Sequence, residues 1–238
     1  TMRVATWNVG SLKGRSGEVV ETLSRRRIDI CSVQETRWKG EGTRMISGKD
    51  SKYKIFWKGS SDGNAGVGML IAEKWVENVV NVKRVNERMI VVKLIIEERL
   101  VNVISAYAPQ TGRSEEDKDR FWDELLSVTS SVPAGEAIVL GGDLNGHVGS
   151  KGDGYEGVHG GYGFGTRNAE GERILEFGDA MNMFVCNTCF RKNDKRLITY
   201  DSGGNNTAID YLLMRKDDRY MVKNVNVITG EECVTQHK

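Results

Sequence analysis

Short runs of apolar and β-branched residues recur along almost the whole chain, separated by glycine or polar breaks. Runs of this kind are typical of β-strands, whereas only three segments have the apolar period of about 3.6 residues that an amphipathic helix requires. Ten such runs are enough for two packed sheets, so the pattern predicts a strand-rich α/β fold. The predicted strands are Arg3 to Asn8, Ile28 to Gln34, Lys54 to Trp57, Gly66 to Ile71, Met89 to Ile96, Leu100 to Tyr107, Ala137 to Leu140, Phe184 to Asn187, Ile209 to Met214 and Val222 to Val227.

Three segments are predicted to be helices. The first, Gly17 to Arg27, ends in three arginines, which favour the C-terminus of a helix. The second opens at Ser114, and the third runs from about Ala169 to Asn182. Between the second and the third, the stretch from Gly141 to Gly165 holds eleven glycines and is predicted to be a loop of the functional site.

Charge and composition exclude several classes of protein. Thirty-four Lys and Arg residues balance 33 Asp and Glu residues, and the net charge of +1 excludes a wholly basic, histone-like surface while allowing a local basic groove. No apolar stretch approaches the roughly 20 residues of a membrane span, so no membrane contact is expected. A chain of this size needs no disulfide to stabilise it, so its four cysteines favour a reducing, intracellular setting. Two of them form a CxxC pair, but no second ligand pair follows, which argues against structural zinc.

Polar residues follow several of the predicted strands at the point where the strand ends. A single Asn or Asp in that position is usually a turn residue, but side chains at several strand ends can converge on one rim of a fold. The sequence therefore predicts a shared site. Its candidate members are Asn8, Glu35, Asp143 and Asn145, joined by Asp210 and His237.

These residue types favour a particular chemistry. Carboxylates with Asn amides, and no cysteine or multi-histidine cluster, make the oxygen-rich site that Mg²⁺ or Mn²⁺ prefers over zinc. Hydrolysis of a phosphodiester suits such a site, because it needs a cation for the developing charge, a group that orients water and donors for the phosphate oxygens. Glu35, Asp143, and Asn8 with Asn145 could fill those roles in that order.

Seven short motifs span essentially the whole chain: Trp7 to Val9, Gln34 to Thr36, Ser105 to Pro109, Gly142 to Asn145, Leu197 to Tyr200, Ile209 to Leu213 and Gln236 to His237. In these motifs and in their order, the chain resembles the endonuclease/exonuclease/phosphatase superfamily, the family of deoxyribonuclease I and the apurinic endonucleases. A narrower stretch, Gly163 to Asn168 followed by Gly171 to Leu175, is similar to the endonuclease domains of RTE-like non-LTR retrotransposons.

The resemblance implies a four-layered α/β sandwich, in which two mostly antiparallel β-sheets pack face to face with helices outside. It also implies a divalent-metal site at one edge. Glu35 would bind the metal with Asn8 nearby, Tyr107 and Asn145 would hold the phosphate, and Asp143 would position the attacking water.

The same resemblance implies that Asp210 pairs with His237, an arrangement that orients the ring and favours its charged form. Asn168 is expected at the leaving-group side. One position departs from the family, which usually has Asp before the final histidine where this chain has Gln236, a weaker metal ligand. The family also continues with another core strand beyond the position of Lys238, so we expect residues 1–238 to form a single domain without that strand.

A basic cluster precedes the segment Thr199 to Tyr200, where related nucleases place a loop against the DNA groove. Cations on a turn are often only solvated, so DNA contact and simple solvation both remain open for this cluster. Tyr200 beside Thr199 would either stack near the scissile nucleotide or pack in the core. The cluster consists of Arg191, Lys192, Lys195 and Arg196.

Two further residues are candidates for nucleic-acid contact. Trp38 follows the Glu35 motif in a basic loop that we expect to be exposed, where an aromatic ring can stack on a base. His147 lies two residues beyond Asn145, close enough to touch a bound phosphate or to be an incidental loop histidine.

The sequence thus predicts a divalent-metal-dependent endonuclease that nicks DNA, of retrotransposon-like or domesticated origin. Mg²⁺ or Mn²⁺ is the expected cofactor, with no organic cofactor, and the expected setting is a monomer in the nucleus. Two alternatives remain open: a hydrolase of the same fold acting on another phosphate ester, such as an inositol phosphate or sphingomyelin, and a DNA- or protein-binding domain with impaired catalysis.

Overall fold

The computed structural model describes residues 1–229 and 236–238, and within them the strands form two large sheets. The first sheet has the order β1-β2-β5-β4-β3, in which β1 and β2 are parallel and the other neighbours antiparallel. Its strands are β1 (Val4–Asn8), β2 (Ile30–Gln34), β3 (Glu41–Ser47), β4 (Lys52–Lys58) and β5 (Val67–Ala72).

The second sheet has the order β10-β13-β9-β8-β7-β6, in which only β8 and β9 are parallel. A separate antiparallel hairpin is formed by β11 and β12. The strands are β6 (Val79–Asn86), β7 (Met89–Ile96), β8 (Arg99–Tyr107), β9 (Ala137–Asp143), β10 (Met183–Val185), β11 (Tyr200–Ser202), β12 (Asn205–Thr207) and β13 (Asp210–Arg215).

The helices lie on the outer faces of the two sheets. Helix α1 (Ser16–Arg25) buries one apolar stripe against the first sheet. Helices α2 (Glu115–Ser130) and α3 (Ala169–Ala180) do the same on the outer face of the second sheet. The inner faces of the two sheets share a third apolar cluster, so the arrangement has the four layers expected from the sequence. No helix in the described part of the chain has the length and apolar character to cross a membrane.

Strand pairing brings the chemically interesting strand ends to one edge of the sandwich. In the parallel pair β1–β2, Asn8 lies beside Gln34, so Glu35 follows directly at that edge. In the second sheet, Asp143 of β9 is paired with Tyr107 of the parallel strand β8 and with Asp210 of the antiparallel strand β13. These residues are adjacent because of pairing between segments far apart in the sequence.

The structure corrects several of the predicted elements. Residues 222–227 form no strand, because these exposed and half-exposed residues have no neighbouring strand to pair with in the described part of the chain. The strand predicted at Phe184 to Asn187 is Met183–Val185, and the chain then turns through Cys186–Thr188. Cys233 lies outside the described residues.

The glycine-rich stretch begins as a strand rather than as a loop. Strand β9 continues through Gly141 and Gly142 to Asp143, because its parallel pairing with β8 extends that far. A Cβ at Gly142 would collide with the carbonyl oxygen of Ala106 on β8. Glycine is therefore required there for two backbones to approach closely.

Candidate active site

Asn8 joins two carboxylates at the edge where the strands end. Its side chain is fully buried, and its Nδ2 donates to Glu35 Oε1 at 3.0 Å and to Asp143 Oδ2 at 2.9 Å. The Asn8 Oδ1 atom accepts the backbone N–H of Gly10 at 2.9 Å, which fixes the orientation of the amide. One neutral side chain thus holds the acidic groups of both sheets side by side.

Glu35 is held as an ionised carboxylate that still reaches solvent. Its Oε1 also accepts from the Tyr107 hydroxyl at 3.0 Å, and its Oε2 accepts from the Arg37 guanidinium at 2.9 Å. Burial alone would raise the pKa of Glu35, but the hydrogen bonds from Asn8, Arg37 and Tyr107 bring it below its usual value. The side chain is 16% exposed, so a ligand can approach it.

Tyr107, at the end of β8, serves as a hydrogen-bond donor. Burial and the nearby charge of Glu35 raise the pKa of the phenol well above its usual value, so the hydroxyl keeps its proton. The Arg88 guanidinium lies 5.1 Å from the centre of the ring and donates to the backbone carbonyl of Tyr107 at 3.1 Å. Arg88 therefore fixes the ring that contacts Glu35.

Asp143 is a buried carboxylate with a raised pKa. Burial is the main cause, and the charge of Asp210 adds to it, while His237 and the hydrogen bonds from Asn8 and from the Asn145 backbone oppose the change. The backbone N–H of Asn145 reaches Asp143 Oδ1 at 3.1 Å because Asn145 adopts a left-handed conformation with φ 49°. A carboxylate with this raised proton affinity suits a group that accepts a proton from water.

Asp210 and His237 form a buried pair on the other side of Asp143. The His237 Nδ1 atom donates to Asp210 Oδ2 at 3.0 Å, and its Nε2 lies 3.8 Å from Asp143 Oδ2. Burial alone would lower the pKa of His237, but Asp210, with Asp143 and Glu35, raises it to about 9. The imidazole is therefore protonated at neutral pH.

The Thr199–Tyr200 segment supports both members of this pair. The Thr199 hydroxyl is buried and accepts the backbone N–H groups of Ile209 and Asp210 at 3.0 and 3.1 Å. The ring centre of Tyr200 is 4.8 Å from that of His237, and the two residues form a β-bridge. The structure thus gives Thr199 a positioning role behind Asp210, and half-buried Tyr200 both packs on His237 and reaches solvent.

The fit of a divalent cation is best at the Glu35 end of the site. There, Asn8 holds two carboxylates together, and oxygen atoms are the ligands that Mg²⁺ and Mn²⁺ prefer. Asp143, Asp210 and His237 also bring possible ligand atoms within 4.8 Å of one another. In that group, however, the imidazole Nδ1 is bonded to Asp210 and the raised pKa favours a charged ring, which repels a cation.

The remaining predicted residues near the site have mainly structural contacts. Asn168 caps α3, and its Oδ1 accepts the backbone N–H groups of Gly171 at 2.8 Å and of His147 at 2.9 Å. The Asn145 amide donates to the Ala108 carbonyl at 2.9 Å, which ties its loop to the end of β8. Gln236 is exposed next to His237.

The predicted DNA contacts differ in exposure. Trp38 is half-buried rather than free in a loop, because it packs edge-on against Trp57 with ring centres 5.1 Å apart and carries the Arg44 guanidinium at 4.1 Å. In the basic cluster, Lys192 donates to Asn224 at 2.6 Å. The other three members, Arg191, Lys195 and Arg196, are exposed.

Two arginines of the site were not singled out from the sequence. Arg37 belongs to the same basic loop as Trp38, and its position two residues after Glu35 was the available signal. Arg88 lies in a turn between strands and becomes part of the site only through the pairing of β7 with β8. No local pattern marks it.

Comparisons with known proteins match most of the chain. The sequence pattern of the Endonuclease/Exonuclease/phosphatase family matches residues 5–222. Craniofacial development protein 2 of Bos taurus is 29% identical over 238 residues, which cover 99% of this chain and 39% of that protein. The chain therefore spans about two fifths of the length of this curated relative.

Two solved structures share the fold. The catalytic domain of Xenopus laevis APE2 superposes with a TM-score of 0.68 at 15% identity, covering 92% of this chain and 84% of that one. The endonuclease domain of TRAS1, a telomere-specific non-LTR retrotransposon, superposes with a TM-score of 0.58 at 14% identity, covering 99% and 94% respectively. At these identities the likeness concerns the fold.

Proposed function

The chain belongs to the endonuclease/exonuclease/phosphatase family, and we propose that it is a divalent-metal-dependent endonuclease that hydrolyses DNA phosphodiester bonds. The observation that carries this proposal is the Asn8 amide, which donates one hydrogen bond to Glu35 and one to Asp143 and so holds the two carboxylates side by side. Carboxylates that can hold a cation on one side, and a charged imidazole on the other, suit a negatively charged ester.

In this proposal Glu35, with Asn8 beside it, would hold Mg²⁺ or Mn²⁺, with Gln236 as an additional weak ligand. When bound, the cation would neutralise the charge that develops on the phosphate oxygens. The fit rests on the donor set, since Glu35 is ionised and the carboxylates supply oxygen ligands.

The chain's own groups would do the rest of the reaction. Asp143 would accept a proton from the attacking water, which its raised pKa favours. His237, oriented by Asp210, would donate from Nε2 to a non-bridging phosphate oxygen. Tyr107 and Asn145 would flank the phosphate. Water would add to phosphorus as the P–O bond to the leaving strand breaks, and the departing oxygen would take a proton from solvent.

DNA is the substrate that the surroundings of the site favour. Arg191, Lys195 and Arg196 are exposed and directly precede the Thr199–Tyr200 segment, which contacts the Asp210–His237 pair. Cations placed there would meet the phosphate backbone on either side of the cleaved bond. The name of one structural neighbour, the endonuclease domain of a non-LTR retrotransposon, supports endonuclease activity and a retrotransposon-like origin.

Nicking of supercoiled plasmid tests the proposal. We expect the chain to convert plasmid to open circles with Mg²⁺ or Mn²⁺ and not with chelator, and Glu35→Gln to lose at least about a hundredfold in rate, as expected when a group that stabilises transition-state charge is removed. Glu41→Gln is the matched control. Glu41 is an exposed carboxylate on the edge strand β3, and it pairs with Lys58 of the neighbouring strand β4.

Two additional measurements interpret a negative result. Gln236→Asp restores the carboxylate that the family usually has, so cutting by this variant alone would make the present chain a catalytically impaired relative. If no folded version nicks plasmid but a simple aryl phosphodiester is hydrolysed with metal, the substrate is another phosphate ester. If neither is cut, the chain is a binding domain and the proposal is wrong.

A further inference from the structure

Arg37 occupies Glu35 Oε2, the oxygen that the other described residues leave without a hydrogen bond. Glu35 Oε1 already accepts from Asn8 and from Tyr107, each at 3.0 Å. The Arg37 guanidinium bonds to Oε2 at 2.9 Å. A cation that approaches Glu35 from solvent therefore meets a positively charged side chain first.

The backbone around this contact is fixed, whereas the arginine side chain is largely exposed. Glu35 and Arg37 both have left-handed conformations, with φ 55° and φ 52°, which non-glycine residues rarely adopt. Thr36 between them is fully buried, and its backbone N–H and C=O bond to Gly66 and Leu12 at 3.1 and 3.0 Å. The Arg37 side chain, by contrast, is 49% exposed, so it can leave Glu35 without moving the loop.

We propose that Arg37 is an internal counter-ion of Glu35. A divalent cation displaces the Arg37 guanidinium from Glu35, and the guanidinium then binds a phosphate of the DNA. This inference rests on the proposed function. Arg37 and the cation compete for the same oxygen, and a displaced guanidinium is repelled by the cation that replaced it. A phosphodiester is the partner that suits its planar fork, because two parallel hydrogen bonds can form.

The consequence is a thermodynamic link between metal and DNA. Without metal, Arg37 is held by Glu35 and contributes little to DNA binding. With metal, Arg37 is available to the phosphate, so each ligand strengthens the binding of the other by the same factor. Removing the Arg37 guanidinium should weaken this coupling. It should also let a cation bind the Glu35 carboxylate of the metal-free protein more easily.

The test measures binding rather than turnover. Mn²⁺ affinity is measured from the electron paramagnetic resonance signal of free Mn²⁺, and affinity for a short duplex by fluorescence anisotropy with Mn²⁺ or chelator. All proteins carry His237→Gln to keep the duplex intact. Arg37→Gln is compared with Lys39→Gln, which removes an exposed cation two residues further along the same loop.

We expect Arg37→Gln to bind Mn²⁺ about fivefold more tightly, and its Mn²⁺-dependent gain in DNA affinity to fall by a similar factor. Lys39→Gln should change neither value by more than about a third of that effect. If Arg37→Gln behaves like Lys39→Gln while Glu35→Gln abolishes Mn²⁺ binding, the counter-ion role is wrong and the metal site stands. If the His237→Gln protein with Arg37 intact binds no Mn²⁺, the proposed metal-dependent function is wrong and this inference is wrong with it.

Discussion

Asp143 and Asp210 lie directly opposite each other on the antiparallel strands β9 and β13, and both are buried. Two carboxylates so placed would repel each other unless each had its own donor. Asn8 donates to Asp143, and His237 donates to Asp210, so each carboxylate has its own hydrogen-bond donor, on opposite sides of the pair. The protonated imidazole is therefore as much a part of the folded structure as of the proposed chemistry.

Replacing Asp210 should move the pH range in which the protein works. His237 has a pKa of about 9, and Asp210 is the main group that raises it against the effect of burial. In Asp210→Asn this pKa should fall towards or below about 6.5, the usual histidine value. If the charged ring is needed, the alkaline limb of the pH–rate profile should shift down by about two units.

Asp201→Asn is the control for this shift. Asp201 lies on β11, next to the segment that holds His237, and its carboxylate is partly exposed and bonds to the backbone of Gly204. An unchanged profile in Asp210→Asn would show that ionisation of His237 does not govern activity.

The same pair should make stability depend on pH. Because the folded pKa of His237 is raised, its contribution is complete below the unfolded value of about 6.5 and is lost as pH rises through about 9. The free energy of unfolding should therefore differ most between the wild type and His237→Gln at pH 6, by an amount on the order of 3 kcal/mol. Denaturant titrations at pH 6 and pH 10 measure this difference, and equal differences at both values would contradict it.

A second buried histidine should produce the opposite pH dependence. The His159 Nδ1 atom accepts the N–H of Gly161 at 2.9 Å, and its Nε2 donates to the Gly149 carbonyl at 3.0 Å, so only the neutral ring satisfies both contacts. Burial is the main cause of its lowered pKa, and Arg167 adds to it, while the Gly149 hydrogen bond and Asp153 oppose it. Its contribution to stability is therefore present above about pH 6.5 and lost as pH falls through the folded pKa.

The change that tests this is His159→Gln. The free energy of unfolding of this variant should be lower than that of the wild type by on the order of 1–3 kcal/mol at pH 7. The difference should be smaller at pH 5, where the wild type must break the Gly161 hydrogen bond. His147→Gln, in the same glycine-rich stretch but half-exposed, should have little effect at either pH. The protection factor of the Gly161 amide, which is the hydrogen-exchange rate corrected for its intrinsic pH dependence, should fall in the wild type between pH 7 and pH 5.

The cap of α3 should affect the site as well as the helix. Asn168 Oδ1 holds the first turn of α3 and also the backbone of His147, so Asn168→Ala removes two hydrogen bonds. We expect a loss of about 2 kcal/mol in the free energy of unfolding and a lower kcat. Asn168→Asp, which keeps the accepting oxygen, should recover most of the stability.

Ser114→Ala provides the comparison for this cap. Ser114 caps α2 by accepting the N–H of Asp117 at 3.2 Å, and among the described residues its side chain makes no contact with the candidate site. Ser114→Ala should lower the free energy of unfolding by about 1 kcal/mol and leave kcat unchanged. Equal effects of the two alanine variants on kcat would show that Asn168 acts on stability alone.

The polar strand ends could be predicted from the sequence because each follows an apolar run that marks its strand. Asn8, Glu35 and Asp143 are placed by parallel pairs, whose ends meet at one edge. The apolar patterns also predicted the helices and most of the buried strands. The family motifs added the pairing of Asp210 with His237, which the structure places at 3.0 Å.

The elements that the sequence did not predict lack such a pattern. Strands β3 and β6 lie at sheet edges with mainly exposed or half-exposed side chains, so neither has an apolar run. The polar hairpin of β11 and β12 is equally hidden. Residues 222–227 show the converse, because a segment with three valines formed no strand where no partner strand lies beside it in the described part of the chain. Tertiary pairing decides all of these cases.

The exposed cations before β11 should contribute to DNA affinity without reading sequence. Each of Arg191→Gln, Lys195→Gln and Arg196→Gln should weaken binding to unrelated duplexes equally and reduce the slope of log affinity against log salt by about 0.9 for each phosphate that the protein no longer neutralises. Lys83→Gln is the charge-matched control, because Lys83 is exposed on the outer strand β6. Slopes that match this control would mean that the basic cluster is only solvated, and that DNA meets another face of the molecule.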